Sequence, residues 1–564
     1  MLNKAIIFLL MFGAVAVSAQ KPAGAPEDWF HRDPSEGFNG LGTNKVYDTV
    51  LKGKKSQTII VAVLDSGVDG EHEDLKEVMW TNPGEIPGNG IDDDRNGYVD
   101  DIHGWNFIGG KNGSIHHETL ELTRLYAKLR KKYGNSTVKV DTSAKEYKQY
   151  VQYRDLVENA RATAKASIDK MAAQEIAINA SFDKVNTLLG DKAVTIANVK
   201  AISDGDKEAA LGKKVLLSIL EEEELKSVAD AKKMMSEQIA EGREHYEVQY
   251  NCQHNPDFNE RATIVGDNPD NSYERYYGNN DTRGPDASHG THVAGIIAAS
   301  RKNGKGMDGV ADNVKIMSVR CVPDGDERDK DVANAIIYAV DNGASVINMS
   351  FGKSYSWDKK AVDKAVKYAN DHDVLLVHAA GNDANNNDTG GNFPSKNFEK
   401  PGVFKAKQAK NWLEIGALSW KAGEDLPATF SNYGKKMVDV FSPGVAIYST
   451  TPDNTYSSYQ GTSMAAPACA GVVALIRSYY PELSANQVKE IIRGSSIQSD
   501  QMVKLPSKVR GKPPVMVKFS DISNTGGFVN STNAINKAAT TPAKPNRKAT
   551  WRSAGLKVSK EVRP

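Results

Sequence analysis

Apolar residues along this chain occur in two patterns, as short continuous runs and as longer stretches with helical spacing. The continuous runs cover residues 58–65, 314–319, 345–350, 374–380 and 412–418. Runs of this kind predict strands of a parallel sheet that is covered on both faces. Helical patterns lie between several of them, at residues 291–300, 331–343 and 359–372. This alternation predicts a doubly wound α/β core, with a mostly parallel sheet and helices on both faces.

Residues 111–253 follow a different pattern. No proline occurs between Pro87 and Pro256, and Ala, Lys, Glu and Leu dominate the segment. Such a composition predicts long amphipathic helices that pack as a bundle or hairpin. Because the α/β pattern resumes afterwards, we interpret the segment as an inserted all-α subdomain. The α/β domain then consists of residues 20–110 and 254–538.

The two ends of the chain differ from the rest in composition. Residues 1–19 carry one lysine, an apolar run, and the small residues Val17 and Ala19 before an expected cleavage point. This is the pattern of a cleavable signal peptide, so a secreted or periplasmic protein is expected. Later apolar runs are too short for a stable membrane span. Residues 539–564 are rich in Lys and Arg and are expected to be a disordered tail.

Charge and cysteine content exclude several functions. Lys plus Arg and Asp plus Glu both number 71, so no global charge favours binding to nucleic acid. The three cysteines are far apart and form neither a metal-binding spacing nor a disulfide framework.

Three short motifs place reactive side chains at the ends of predicted elements. Asp65 ends the first strand in LDSGVDG, whereas His289 in DASHGTHVAG and Ser463 in GTSMAAP begin helices. Each residue alone is explained by capping of a helix or turn. In an open α/β sheet, however, strand ends and helix N-termini meet at one crevice. Together the three residues therefore indicate a nucleophile, a base and an orienting carboxylate.

The motifs DSG, HGTHVAG and GTSMAAP, in this order, resemble those of the subtilisin-like serine proteases, or subtilases. The resemblance covers roughly residues 45–108 and 256–537. It implies a subtilisin-like fold and a serine endopeptidase that hydrolyses protein or peptide substrates through an acyl-enzyme. By this likeness Ser463 is the nucleophile, His289 the general base and then acid, and Asp65 the carboxylate that fixes the imidazole tautomer.

Further segments resemble the subtilase substrate-binding elements. Asn382 in HAAGND resembles the side chain that stabilises the oxyanion. Ser350, Phe351 and Gly352 resemble the strand that borders the pocket for the residue before the cut, although Lys353 stands where a second glycine is usual. Residues 321–329 fall where the family offers an edge strand to extended substrate. Their acidic side chains either favour basic residues in the substrate or belong to a solvated acidic loop.

Residues 89–101, NGIDDDRNGYVDD, match the opening of an EF-hand-like calcium loop. The candidate ligands are Asp92, Asp94, Asn96, Asp100 and Asp101. A bidentate glutamate is missing, since His103 stands in its place, and an acidic surface loop is the alternative. We expect structural Ca²⁺, as subtilases often bind it, and no organic cofactor.

Other interpretations remain open at this stage. The chain could be a catalytically silent subtilase scaffold whose helical insertion binds a protein partner. A metallohydrolase using His289 and His292 is a third hypothesis, although HGTH lacks the glutamate of a zinc-protease motif. About 45 residues separate the expected signal cut from Asp65, too few for the usual prodomain. The insertion could therefore gate the cleft, hold a partner or substrate, or only stabilise the fold.

Overall fold

The structure is a computed structural model that describes residues 24–134, 141–221, 225–399, 406–509, 511 and 513–544. The expected signal peptide, and the tail beyond residue 544, lie outside the described residues. The described chain divides into two compact units. We call Leu122–Phe258 the helical unit, and the described residues of Ala19–Glu121 and Asn259–Pro564 the core unit. Within the described ranges, no helix has the length and apolarity needed to cross a membrane.

The core unit is built on a nine-stranded sheet with the order β12-β15-β9-β8-β7-β6-β1-β5-β2. Its strand pairs are parallel, except for the antiparallel pair of β12 and β15. The remaining strands form the two-stranded pairs β3-β4, β10-β11 and β13-β14. In chain order, the strands are β1 Ile59–Asp65, β2 Gly104–Asn106, β3 Gly109–Gly110, β4 Gly113–Ser114, β5 Val314–Arg320, β6 Val346–Met349, β7 Leu375–Ala379, β8 Trp412–Leu418, β9 Val440–Pro443, β10 Ile447–Thr451, β11 Thr455–Tyr459, β12 Ile497–Gln498, β13 Met502–Lys504, β14 Met516–Lys518 and β15 Gly527–Phe528.

Helices cover both faces of this sheet. The α-helices of both units, within the described residues, are α1 Thr43–Asp48, α2 Glu121–Tyr133, α3 Lys145–Leu189, α4 Ile196–Lys200, α5 Ala210–Leu220, α6 Val228–Val248, α7 Arg261–Ile264, α8 Ser288–Ala298, α9 Asp329–Asp341, α10 Lys359–Asp371, α11 Thr462–Tyr479, α12 Ala485–Ser495 and α13 Ser531–Thr540. Side chains of β1 alternate between two apolar cores, because successive residues of a strand point to opposite faces. Val61 and Val63 share one core with α8 and α11, while Ala62 and Leu64 share the other with α9 and α10. The predicted doubly wound α/β fold is confirmed.

The helical unit has an apolar core of its own. Helices α3, α5 and α6 surround the buried Phe182, Leu216 and Ile239, and α3 alone is 45 residues long. The predicted all-α insertion is therefore present in the chain. Its first residue is Leu122 rather than residue 111, because residues 109–114 form the β3-β4 pair within the core unit.

Candidate active site

Asp65 ends β1, the third strand from the β2 edge of the sheet. In the parallel pairing of β1 with β5, Asp65 is opposite Arg320. Asp65 is buried, with 2% of the residue exposed. One carboxylate oxygen, Oδ1, accepts hydrogen bonds from the Ser66 backbone N–H and from Nδ1 of His289, both at 2.8 Å. The carboxylate is therefore held in one orientation and directed at the imidazole.

His289 is the second residue of α8, and its imidazole is partly exposed beside Asp65. Because a carboxylate only accepts hydrogen bonds, Nδ1 carries the proton and Nε2 keeps a free lone pair. Burial alone would lower the pKa of His289. The charge and the hydrogen bond of Asp65, together with the charge of Asp286, outweigh burial and raise this pKa.

Ser463 is the second residue of α11, at the positive end of an 18-residue helix. Almost all other residues of this helix are buried in the core, whereas Ser463 is partly exposed. Its hydroxyl donates a hydrogen bond of 3.0 Å to the Ser350 carbonyl oxygen. Ser350 in turn lines a cavity together with Asp65 and His289, so the three motif residues converge on one region of the core unit.

Pro467 lies inside α11 and explains a second bond between these serines. Pro467 has no N–H. The carbonyl of Ser463, four residues earlier, therefore lacks its usual helical hydrogen-bond donor. The Ser350 hydroxyl donates to that carbonyl at 2.8 Å, and Asn348 Nδ2 donates to the same hydroxyl at 2.9 Å. The helix continues past Pro467 to Tyr479, and Ser350 supplies the donor that the proline lacks.

Asn382 follows β7 and faces the N-terminus of α11. Its Oδ1 accepts hydrogen bonds from the backbone N–H and the hydroxyl of Thr462, at 2.8 and 2.9 Å. Since both partners are donors, the orientation of the amide is fixed and Nδ2 points away from them. A Cβ on Gly461 would lie 3.4 Å from Asn382 Nδ2 and 3.5 Å from the Ser463 backbone nitrogen. Gly461 thus leaves open a space that two N–H donors flank.

The predicted pocket segment, Ser350, Phe351 and Gly352, continues from β6 beside this space. A Cβ on Gly352 would meet Asn392 Oδ1 at 2.5 Å. The Asn392 side-chain nitrogen donates to the carbonyl oxygens of Ala379 and Ala380, at 3.2 and 3.0 Å. The amide oxygen of Asn392 therefore faces Gly352. Sequence reasoning missed Asn392, because it lies in a loop that carries no motif of its own.

Lys353 does not extend into solvent, although it replaces a glycine in the family pattern. Its ammonium group is buried and lies 2.6 Å from a carboxylate oxygen of Glu121 and 2.8 Å from one of Asp329. It also donates to the Glu327 carbonyl at 2.6 Å. A buried charge requires such partners. Glu121 could not be foreseen as one of them, because the sequence pattern assigned it to the insertion.

His292 has the contacts of a structural residue. Its Nε2 lies 3.0 Å from the Ile447 carbonyl and 3.1 Å from the Ser457 carbonyl, and its ring stacks on Tyr459. Burial lowers the pKa of His292 to about 3, so the ring is neutral and donates from Nε2. This nitrogen is thus engaged with the backbone and not available to a metal ion.

The acidic loop after β1 contains a group of carboxylates close enough to share a cation. Ligand oxygens of Glu85, Asp92 and Asp94 lie within 4.8 Å of one another. Asn96 donates its side-chain nitrogen to Asp94 and Asp101. The remaining candidate, Asp100, accepts backbone N–H groups of residues 88–90 instead. Glu85 was missed because it lies before the EF-hand-like segment.

Comparison with known proteins agrees with this arrangement. The model of the subtilase family of peptidases (Peptidase_S8) matches residues 56–518. The chain belongs to the subtilase family. The match spans the helical unit and all three motif residues, Asp65, His289 and Ser463.

Relatives of this subtilase include several named proteases. A thermophilic serine proteinase of Bacillus sp. (strain AK1) is 38% identical over 224 residues, which is 40% of this chain and 49% of the relative. Subtilisin DY of Bacillus licheniformis is 39% identical over 204 residues, 36% of this chain and 67% of the relative. Thermitase of Thermoactinomyces vulgaris is 39% identical over 191 residues, 34% of this chain and 61% of the relative. The similarity thus spans about half to two thirds of these relatives.

Proposed function

We propose that this subtilase is a serine endopeptidase that cleaves protein or peptide substrates. The observation that carries the proposal is the geometry around Ser463. The His289–Asp65 pair lines the same cavity as Ser350, and Ser350 is hydrogen-bonded to Ser463 in both directions. The open space at Gly461 lies between Asn382 Nδ2 and the Ser463 N–H. A nucleophile, an oriented base and two oxyanion donors are the parts that acyl transfer requires.

Acylation begins with a rotation of the Ser463 hydroxyl. In the described conformation this hydroxyl donates to Ser350 O, and rotation about χ1 redirects it to Nε2 of His289. Ser463 Oγ attacks the carbonyl carbon of the scissile bond while Nε2 accepts the hydroxyl proton. Asp65 stabilises the resulting imidazolium through its bond to Nδ1. The raised pKa of His289 favours this protonated form.

The negative charge develops on the substrate carbonyl oxygen. Asn382 Nδ2 and the Ser463 N–H flank the space where this oxygen would lie, and the N-terminus of α11 adds a positive partial charge. Collapse of the tetrahedral intermediate breaks the C–N bond, and His289 gives its proton to the leaving amine. The acyl group remains esterified to Ser463. A water that His289 deprotonates then attacks the ester carbonyl. The bond to Ser463 Oγ breaks, Oγ takes the proton back from His289, and the acid is released.

Cleavage of a peptide library by the purified protein tests this activity. We expect wild-type protein to produce new amino termini, and the variants Ser463→Ala and His289→Ala to produce none while staying folded. A folded wild-type protein that cleaves nothing would favour the silent-scaffold interpretation. Activity that survives in Ser463→Ala but disappears with a zinc chelator would favour a metallohydrolase.

We also propose that the acidic loop binds a structural Ca²⁺ ion. The support is the proximity of Glu85, Asp92 and Asp94, whose oxygens suit a hard cation. These carboxylates repel one another, and a divalent cation between them would relieve that repulsion. The loop would then bind calcium to stabilise the core unit rather than to take part in the chemistry.

The role we propose for the helical unit is to bind a protein partner or a protein substrate. The support is its independent apolar core, which a simple connection of the two halves of the core unit does not require. Replacing Leu122–Phe258 by a Gly-Ser linker should preserve cleavage of short peptides and change cleavage of folded proteins. If neither activity changes in a folded deletion variant, the unit only stabilises or decorates the fold.

We also propose that residues 1–19 direct export of the protein and are then removed. Its support is the composition of the segment, one lysine followed by an apolar run and small residues. Amino-terminal sequencing of protein recovered outside the cytoplasm should find Gln20 as the first residue. Recovery of the full-length chain in the cytoplasm would contradict export.

A further inference from the structure

We propose that residues 115–121, which we call the strap, form one wall of a substrate subsite beside His289, and that this subsite takes a basic side chain. The inference rests on the proposed endopeptidase function and names the chemistry of its substrates. The strap belongs to the core unit and continues directly into α2, the first helix after it.

Backbone hydrogen bonds attach the strap to the segment that follows β5. Asp324 donates its N–H to the His116 carbonyl at 2.8 Å, and the Glu118 N–H donates to the Asp324 carbonyl at 2.9 Å. His117 and Asp324 thereby form a parallel bridge, and His117 Nδ1 lies 2.9 Å from an Asp324 carboxylate oxygen. The strap is thus joined to the chain at Asp324 by a single parallel β-bridge.

Ion pairs hold the other end of the strap. Glu118 pairs with Arg328 at 2.9 Å, and Glu121 pairs with the buried Lys353 at 2.6 Å. Lys353 follows the Ser350–Gly352 segment, whereas Arg328 belongs to the segment after β5. The strap therefore connects the two substrate-binding segments of the resemblance through two largely buried ion pairs.

A cavity of about 310 Å³ lies between the strap and the catalytic residues. Ile115 and His116 line it on one side, and Asp65, His289 and Ser350 line it on another. This volume is at the lower end of the range for ligand pockets, about 300–1,000 Å³, and is large enough for one amino-acid side chain. A side chain bound here would contact the strap and approach His289.

The direction of an extended substrate decides which side chain enters this cavity. Successive side chains of an extended chain point to opposite sides. If the residue before the cut inserts its side chain beside Gly352 and Asn392, the preceding residue directs its side chain the other way. The cavity beside His289 then receives the second substrate residue on the amino side of the cut.

The lining of the cavity favours a long side chain with a positive end. Pro285, Val322 and Pro323 supply apolar surface for an alkyl stem. Asp286 and Asp324, which are exposed to solvent, supply two carboxylates. Lysine and arginine side chains combine these properties, since their stems pack on apolar surface while the charge stays hydrated.

Other charges at the cavity do not cancel this preference. Arg320 also lines it, but its guanidinium lies 3.2 Å from Asp281 and 2.6 Å from the Ser66 carbonyl. Asp65 and His289 balance each other when the imidazole is protonated. One Asp324 carboxylate oxygen already lies 2.9 Å from His117 Nδ1, and Asp286 supplies a second carboxylate for the substrate side chain.

Paired peptide substrates test the charge preference. Two fluorogenic peptides differ only at the second position before the cut, with lysine in one and norleucine, its uncharged analogue, in the other. We expect kcat/KM to favour lysine roughly fivefold at low salt, with the ratio falling as salt screens the carboxylates. In Asp286→Asn with Asp324→Asn, this ratio should approach one. The matched control, Asp48→Asn with Glu71→Gln, removes two exposed acids that do not line the cavity and should keep the wild-type ratio.

Enlargement of the cavity tests the strap independently. His116→Ala should raise the kcat/KM ratio of a naphthylalanine substrate to the norleucine substrate, at that same position, roughly fivefold. An unchanged ratio in a folded His116→Ala protein would overturn the strap as a subsite wall. A wild-type lysine ratio near one, or no effect of the two Asp→Asn changes, would overturn the basic preference. If no peptide at all is cleaved, the proposed function fails instead.

Discussion

Ser350 and Ser463 hold each other by two reciprocal hydrogen bonds. The Ser350 hydroxyl donates to the Ser463 carbonyl at 2.8 Å, and the Ser463 hydroxyl donates to the Ser350 carbonyl at 3.0 Å. The first bond occupies the carbonyl that Pro467 leaves free, and it connects the end of β6 to the start of α11. The position of the nucleophile on α11 therefore depends on a residue that follows β6.

Loss of the Ser350 hydroxyl should destabilise the protein. In Ser350→Ala, the Ser463 carbonyl and the buried Asn348 Nδ2 both lose a partner, so we expect a cost of about 1–3 kcal/mol in the free energy of unfolding. Denaturant unfolding measures this cost. Ser442→Ala is the matched control, since the buried Ser442 hydroxyl has no hydrogen-bond partner among the described residues. Equal stability of the two variants would contradict the account of Pro467.

The space at Gly461 should be essential to turnover. Asn382→Ala removes one oxyanion donor and should lower kcat roughly 10²- to 10³-fold with little change in KM. Gly461→Ala places a methyl group between both donors and should lower kcat at least as much. Asn385→Ala, a change of an exposed asparagine in the same loop, should leave kcat within about twofold. A normal kcat in Asn382→Ala would remove the oxyanion assignment.

Activity should rise with pH through the raised pKa of His289. Protonated imidazole has no lone pair for the Ser463 proton, so kcat/KM increases as His289 loses its proton. Since the charge of Asp286 contributes to the raised pKa, Asp286→Asn should move the acid limb of the pH profile to lower pH. High salt should reduce this difference between variant and wild type. An acid limb that moves to higher pH would contradict the electrostatic account.

Calcium should raise the melting temperature of the wild-type protein. A ligand that binds only the folded state stabilises it by RT ln(1 + [L]/Kd), about 2.7 kcal/mol at a hundredfold excess over Kd. Differential scanning calorimetry should show that Asp92→Ala with Asp94→Ala removes most of this gain. Magnesium at equal ionic strength and the Asp48→Asn, Glu71→Gln protein serve as controls. A full calcium response in the double alanine variant would exclude this loop as the site.

Local patterns were sufficient to predict the fold, and they also grouped the three motif residues. The continuous apolar runs of residues 58–65 and 412–418 correspond to β1 and β8, because a doubly covered strand is apolar along its whole length. Asp65, His289 and Ser463 could be grouped because strand ends and helix N-termini share one edge of such a sheet.

Long-range partners could not be predicted in the same way. In the sequence, Lys353 only stands out as a replacement of the glycine that is usual in the family. In the structure, its ammonium group pairs with Glu121, which is 232 positions away in the chain. Ser350 donates to a carbonyl 113 positions away. Gly461 is important because it has no Cβ, which would lie beside Asn382 Nδ2 and the Ser463 nitrogen. These relationships depend on tertiary packing rather than on any local periodicity. The insertion boundary was misplaced for the same reason, since the pairing of residues 116–118 with Asp324 has no signature in the sequence.

Covalent labelling of Ser463 by a fluorophosphonate tests the central claim most directly. The probe phosphonylates a serine only where a base and an oxyanion site activate it. Intact-mass analysis and peptide mapping of the wild-type protein should find a single adduct, located on Ser463. Ser463→Ala protein should show none, and His289→Ala should show strongly reduced labelling. A folded wild-type protein without an adduct, or an adduct that persists in Ser463→Ala, would contradict the account.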